Sequence, residues 1–321
     1  MSLQFELIAD LGPELGDLVP IVTSVGPAGE SLWLATSRAD QEAMETSIRQ
    51  PGPAPSPDPS EGGGYAAWLF VHDGIGARSF HIPQVSPRYP KLQRTGGGEF
   101  LIVDSRCTAI EDGSPDKNAS VFGPDGTLRR AFTLGDGIED VQVSADDSVW
   151  VSYFDEGIFG NWGWKVAGEL GLEPIAPAGL IRTDADGSVT WRYAPPEGIG
   201  SISDCYALNV DGDAAWAYYY TNFPLVRIGL DGLIVAWRSG VSGAKAFAIA
   251  GDQVLFFGGY EARRTALTLA RIGGDALEDH EDIDLDLPGA DSLSHAAVVG
   301  RGSAIHAFVG RRWYRLDLAK A

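Results

Sequence analysis

Six residues recur at one place in a repeated pattern: Thr23, Lys91, Asp140, Asp204, Lys245 and His295. Each stands at the start of a short apolar run, counted back from the core of the run that follows. Two carboxylates, two ammonium groups and one imidazole brought together could bind a polar ligand and perturb one another's protonation. If Asp140, Asp204 and His295 converged instead on a divalent cation such as Ca²⁺ or Mg²⁺, they could support a hydrolase or lyase. A set of mutually paired charges capping a water-filled channel is the structural alternative. Aromatic residues stand nearby in sequence register: Tyr153, Trp162 and Trp164 in one repeat, and Tyr219 within Tyr218-Tyr-Tyr220 in the next. Together they could form a contact patch for a sugar, peptide or protein, or they could pack between neighbouring repeats.

The elements that must position these residues are legible in three hairpins. They read Ser120-Val-Phe-Gly-Pro-Asp125-Gly126-Thr-Leu-Arg129, Gly179-Leu-Ile-Arg-Thr-Asp-Ala-Asp186-Gly187-Ser-Val-Thr-Trp191 and Leu225-Val-Arg-Ile-Gly-Leu-Asp231-Gly232-Leu-Ile-Val-Ala-Trp237. Asp-Gly supplies the positive φ of a tight turn, so each is a two-stranded antiparallel ribbon followed by an aromatic residue. A lone hairpin cannot bury its apolar face, and repetition therefore predicts an array that closes on itself, a β-propeller.

Extended outward, the hairpins become the c and d strands of a four-strand unit, a-b-c-d. Strand b recurs as Leu32-Trp33-Leu34, Phe100-Leu-Ile-Val103, Val149-Trp150-Val151, Ala215-Trp216-Ala217, Val254-Leu-Phe-Phe257 and Ala304-Ile305-His306. Six units of about 45 residues follow, a normal blade length. The expected fold is all-β: residues 1–321 as one six-bladed propeller domain, with seven blades as the alternative. The last unit has strands a (His295–Val299), b (Ser303–Val309) and c (Arg312–Leu318) and then ends. Leu3–Ala9 is expected to supply its fourth strand and close the ring.

Two segments break the period. Residues 38–64 in blade 1 pass from a helix-compatible stretch into Pro51-Gly-Pro-Ala-Pro-Ser-Pro-Asp-Pro59 and Gly62-Gly-Gly64, a composition that does not pack. Residues 155–178 in blade 3 carry Phe159, Trp162 and Trp164 among glycines. Both lie between strands b and c, whereas the a–b and c–d turns are short. One face of the ring is thus trimmed and the other elaborated, and the elaborated face is the expected binding site. The first residues of each strand a would ring the mouth of the central channel on that face.

Composition narrows the partners. A formal net charge of −20 repels phosphate backbones and anionic membranes, so neither nucleic acid nor membrane is expected as a partner. A small polar molecule or a protein is expected instead, with the chain as a monomer. The start of the chain has no basic n-region ahead of an apolar run, and no stretch approaches 18 apolar residues, so a cytoplasmic location is expected. The two cysteines, Cys107 and Cys205, match no zinc spacing and read as reduced and structural. Asp184-Ala-Asp186-Gly187-Ser188 resembles the opening of a calcium loop without its later ligands. Asp282, Asp284 and Asp286 read as solvated charges on an outer strand. No Gly-x-Ser-x-Gly elbow and no His-x-His or His-Glu-x-x-His spacing occurs.

The stretch Gly137-Ile-Glu-Asp-Val-Gln-Val-Ser-Ala-Asp-Asp-Ser-Val-Trp-Val-Ser-Tyr-Phe-Asp-Glu-Gly157 resembles the blades of bacterial NHL/SMP-30-type six-bladed propellers, and the Asp-Gly hairpins fit the same group. Among them it is most similar to actinobacterial members. The resemblance implies the fold. Gluconolactonase-like members hold a metal through a Glu in a Glu-Gly-Pro-x-Trp context, where this chain has Pro20-Ile-Val-Thr23 before Trp33, and their paired Asn ligands are not evident here. Streptogramin-lyase-like members use channel histidines, for which only His295 is placed. No catalytic residue is carried over; a lactonase-like, metal-dependent activity at the channel and a pure interaction scaffold stand as the alternatives to ligand binding.

Overall fold

Short runs of β-branched and aromatic residues, ended by glycine or aspartate turns, build 24 strands among the described residues. The computed structural model describes residues 3–46, 63–108, 114–161, 164, 172–212, 214–283, 287–289, 293 and 295–320. After β1 (Glu6–Asp10), blade 1 comprises β2 (Val19–Val25), β3 (Ser31–Thr36), β4 (Tyr65–His72) and β5 (Ala77–Val85). Blade 2 comprises β6 (Pro90–Arg94), β7 (Phe100–Asp104), β8 (Ala119–Phe122) and β9 (Leu128–Phe132). Blade 3 comprises β10 (Ile138–Val143), β11 (Val149–Tyr153), β12 (Leu180–Thr183) and β13 (Val189–Arg192). Blade 4 comprises β14 (Asp204–Asp211), β15 (Ala214–Tyr220), β16 (Leu225–Gly229) and β17 (Ile234–Trp237). Blade 5 comprises β18 (Ala246–Ala250), β19 (Gln253–Phe257), β20 (Leu267–Ile272) and β21 (Leu277–Ile283), and blade 6 β22 (Ala297–Arg301), β23 (Ala304–Val309) and β24 (Arg312–Asp317). All six sheets are four-stranded, and the fold is a six-bladed β-propeller.

The ring closes as expected. β1 pairs antiparallel with β24, so the last sheet runs β1-β24-β23-β22 and joins the two ends of the chain. Phe5, just ahead of β1, is fully buried. Removing a Phe side chain from water contributes roughly 2–3 kcal/mol. Between the last blade and the first, Trp33 and Phe308 meet edge to face with centroids 5.1 Å apart.

Neighbouring blades are coupled through the hairpin tips, which explains the aromatic residue after each Asp-Gly. Gly187 (φ 85°) lies so close to Phe132 that a Cβ there would enter the ring, and Gly232 (φ 83°) lies against the Trp191 indole. Glycine is needed twice over, for the left-handed backbone and for the approach. The aromatic that ends one blade is thus the seat for the turn of the next. The Asp-Gly at 186–187 is accordingly a packed turn, with Asp184 accepting from the Asp186 and Ser188 backbone N–H groups.

The a–b and c–d turns are short throughout, and the long connections join b to c. That between β3 and β4 contains helix α2 (Arg38–Thr46), and that between β11 and β12 contains α3 (Asp155–Phe159); α1 (Gly12–Leu15) follows β1. Both cysteines are free and buried. Asp282 is held by Arg263 at 2.6 Å; Asp284 and Asp286 lie outside the described residues. Among the described residues no helix is long and apolar enough to cross a membrane.

Candidate functional site

The inner strands β2, β6, β10, β14, β18 and β22 line the channel, and three of them, β6, β10 and β14, carry a buried amide side chain. Gln93, Gln142 and Asn209 are each almost fully buried. Gln93 Nε2 donates to Ser24 Oγ at 2.8 Å and to the Val25 carbonyl at 3.1 Å, while its Oε1 accepts from Val143 N. Gln142 Oε1 accepts from Val210 N at 2.8 Å and from Arg301 Nη1 at 3.2 Å. Gln142 Nε2 reaches the Leu208 and Gly300 carbonyls. Asn209 bridges Phe247 and Gly302. These amides tie inner strands together across the axis, so the channel is stitched shut in its middle rather than open from end to end. Inner strands crowded around an axis leave backbone groups unpaired, and amide side chains satisfy a donor and an acceptor at once.

Above this stitching, on the face that carries the long b–c loops, lies a pocket of 240 Å³. Its lining includes Thr23, Lys91, Glu139, Asp140, Tyr206 and Lys245. Four of the six aligned positions therefore meet there. Asp140 is tied down: it accepts from its neighbour Val141 N at 2.8 Å and from Gln142 Nε2 at 3.1 Å. Burial raises its pKa, against the pull of Lys91, the Gln142 and Val141 hydrogen bonds, and Arg301. Lys91, Lys245 and Glu139 are different. Among the described residues none of the three makes an ion pair within 4 Å. Burial raises the Glu139 pKa, Asp140 and Asp204 add like-charge repulsion, and Lys91 and Lys245 oppose them. All five groups thus share one electrostatic environment.

Glu139 and Tyr206 escaped the sequence reading because both sit at β-bulges. The β10–β11 register slips between Ile138 and Asp140, which leaves Glu139 as the extra residue. The β14–β15 register slips between Cys205 and Ala207, which leaves Tyr206. A bulge breaks the two-residue alternation on which the alignment relied and re-aims a side chain. The same slip corrects Asp204: it stands at the first position of β14, beside the pocket and not in its lining, where Tyr206 takes the place expected for it. Burial pushes Asp204 up to about 6, with Asp155 adding to the effect.

His295 requires a second correction. β22 begins at Ala297, two residues later than expected, and His295 is exposed ahead of it. Pocket lining from that blade is Ala297–Gly300. Asp140, Asp204 and His295 do not form a metal-binding set, and among the described residues no group of three or more His, Cys, Asp or Glu is placed to hold a metal ion.

The expected aromatic patch also resolves into packing. Tyr153 is buried with its hydroxyl donating to the Leu134 carbonyl. Tyr219 is fully buried, bonded to the Tyr193 hydroxyl at 2.7 Å and the Gly200 carbonyl at 2.9 Å. Trp164 is buried and donates to the Cys107 carbonyl at 2.7 Å. Trp162 lies outside the described residues. The aromatic wall that does reach the pocket is Tyr206, whose hydroxyl meets that of Tyr260 at 2.9 Å. Phe223 supports it edge-on at 5.2 Å from a turn in which Asn222 (φ 67°) and Phe223 (φ 51°) both adopt left-handed backbone. Such strain persists only where the surroundings enforce it.

A larger cavity of 730 Å³ lies between blades 1 and 2, and two of its charged residues, Asp104 and Arg106, are engaged by the fold. Asp104 accepts from the backbone N–H groups of Arg88, Tyr89 and Arg106, and Arg106 pairs with Asp136 at 3.0 Å and with Glu156.

A family model described as the YxzG family matches residues 178–315. No curated protein matches the chain. Among solved structures, the chain is similar to virginiamycin B lyase from Staphylococcus aureus, at 12% identity and a TM-score of 0.48, covering 99% of this chain and 100% of that one. It is similar also to a gluconolactonase from Xanthomonas campestris, at 12% identity and a TM-score of 0.42 over 94% and 97% of the two chains. A chain of a nidogen/laminin complex matches at 10% identity and a TM-score of 0.46 over 82% and 80%. Lactonase and lyase propellers are the two kinds to which the sequence resemblance pointed, and none of these matches bears on an actinobacterial source. At these identities the likeness concerns the fold and carries no activity across.

Proposed function

We propose that this propeller binds a small polar ligand carrying an anionic group at the channel mouth on its elaborated face. One observation carries the reading: Lys91 and Lys245 line a 240 Å³ pocket, and neither has an ion-pair partner within 4 Å among the described residues. Two ammonium groups brought to the same pocket repel each other, and an anion between them relieves that repulsion. The amide stitching below gives the pocket a floor, so a ligand is held at one end of the axis and does not pass through. The volume lies below the range of drug-sized sites, which restricts the ligand to a small molecule.

Titration calorimetry with a panel of small carboxylic acids, sugar acids and amino acids tests the reading, with Lys91→Ala and Lys245→Ala in parallel. Charge-assisted hydrogen bonds contribute about 1.5–3 kcal/mol, so each variant should lose roughly ten- to a hundredfold in affinity for whichever compound binds. A compound that binds both variants as tightly as the wild type would move the site away from the channel mouth.

A further inference from the structure

We infer that the ligand is a small zwitterion, an α-amino acid or a betaine-like compound, with its carboxylate at Lys91 and Lys245 and its ammonium at Glu139. The inference rests on the channel-mouth reading and adds the ligand's second charge. The pocket lining carries unpaired groups of both signs: Lys91 and Lys245 on one side of the account, Glu139 on the other. They lie close enough for each to shift the protonation of Glu139, yet no two of them approach within 4 Å. Opposite charges that share a small pocket would ordinarily collapse into an ion pair. Here they do not: Glu139 sits at a bulge in β10, Lys91 is the second residue of β6, and Lys245 immediately precedes β18.

A simple anion would satisfy the lysines and meet Glu139 and Asp140 unfavourably, and a simple cation would do the reverse. Only a ligand with both charges satisfies each group in place. Its net charge of zero matters at longer range as well. The protein carries −20, which repels an approaching anion but exerts little net force on a zwitterion. Tyr206, held by the Tyr260 hydroxyl, offers a ring face at the edge of the pocket to an ammonium or a methylated amine.

The experiment is a thermal-shift screen of the twenty standard amino acids and glycine betaine. Each binder is then titrated beside its α-hydroxy acid and its decarboxylated amine, which keep one charge each. We expect at least one zwitterion to bind, its two single-charge counterparts to bind at least tenfold more weakly, and Glu139→Gln to lose at least tenfold for the zwitterion. Glu139→Gln should bind the hydroxy acid as tightly as the wild type or more tightly, which a merely structural defect would not produce. If a hydroxy acid or another simple acid binds as well as the zwitterion and depends on Lys91 and Lys245, the zwitterion assignment is overturned while the channel-mouth site stands. If no zwitterion and no acid binds, both are overturned.

Discussion

The same inner strands end differently at the two ends of the channel. Toward the a–b turns Arg301, Arg94 and Glu30 are used by the fold. Arg301 is buried and donates to the Val143 carbonyl and to Gln142, and Arg94 pairs with Glu30 at 3.5 Å. Glu30 also accepts from Ala28 N. At the b–c end, Lys91, Lys245 and Glu139 face one pocket without partners. Crowded charge without a partner is costly, so Lys91 and Glu139, with the exposed Lys245 beside them, favour the b–c end as the place for the proposed ligand. The contrast separates residues that hold the ring from residues available to a ligand, although they lie within a few positions of each other on the same strands.

The contrast can be broken hardest at Gln142. Gln142→Leu keeps the volume but strands the Val210 N–H, the Leu208 and Gly300 carbonyls and one Arg301 donor. Urea denaturation should show a loss of about 3 kcal/mol, since each buried polar group left unmatched costs about 1–3 kcal/mol. A loss below 1 kcal/mol would mean that the stitching is not structural. Lys91→Ala, two positions from Gln93 on β6, should by contrast change stability by less than about 0.5 kcal/mol while weakening ligand binding. If its stability cost matched that of Gln142→Leu, the mouth would be part of the structural core and the distinction would fail.

The smallest effect is a slope in the pH dependence of stability. Asp204 has its folded pKa raised to about 6 from an ordinary 3.8. Between those values the native state holds more of this proton than the unfolded chain does. The favourable contribution is therefore complete below about pH 4 and is lost as pH rises through about 6. Asp204→Asn should flatten that part of the stability profile, measured by denaturation at half-unit steps from pH 4 to pH 7.5. An unchanged profile would show that Asp204 is solvated and uninvolved.

Much of this molecule was determined by its sequence alone. The Asp-Gly hairpins fix local backbone signs, the spacing of the recurrent b strands fixes the count of blades, and the apolar run at the N-terminus matches the strand missing from blade 6. Each is a local or periodic property, and local chemistry is what a single sequence carries. Even the stitching left a trace, since Gln142 and Asn209 each interrupt an apolar run in two consecutive blades. The site was decided by tertiary structure. Extra residues at two bulges replaced Asp204 with Tyr206 and brought Glu139 beside Asp140, and a late start to β22 left His295 outside. Tyr153, Trp164 and Tyr219 are buried in packing, because an aromatic ring serves contact or core until its neighbours are known. A one-residue slip leaves periodicity almost intact but changes which side chains face the axis, so the pattern that specifies the ring does not by itself specify the mouth.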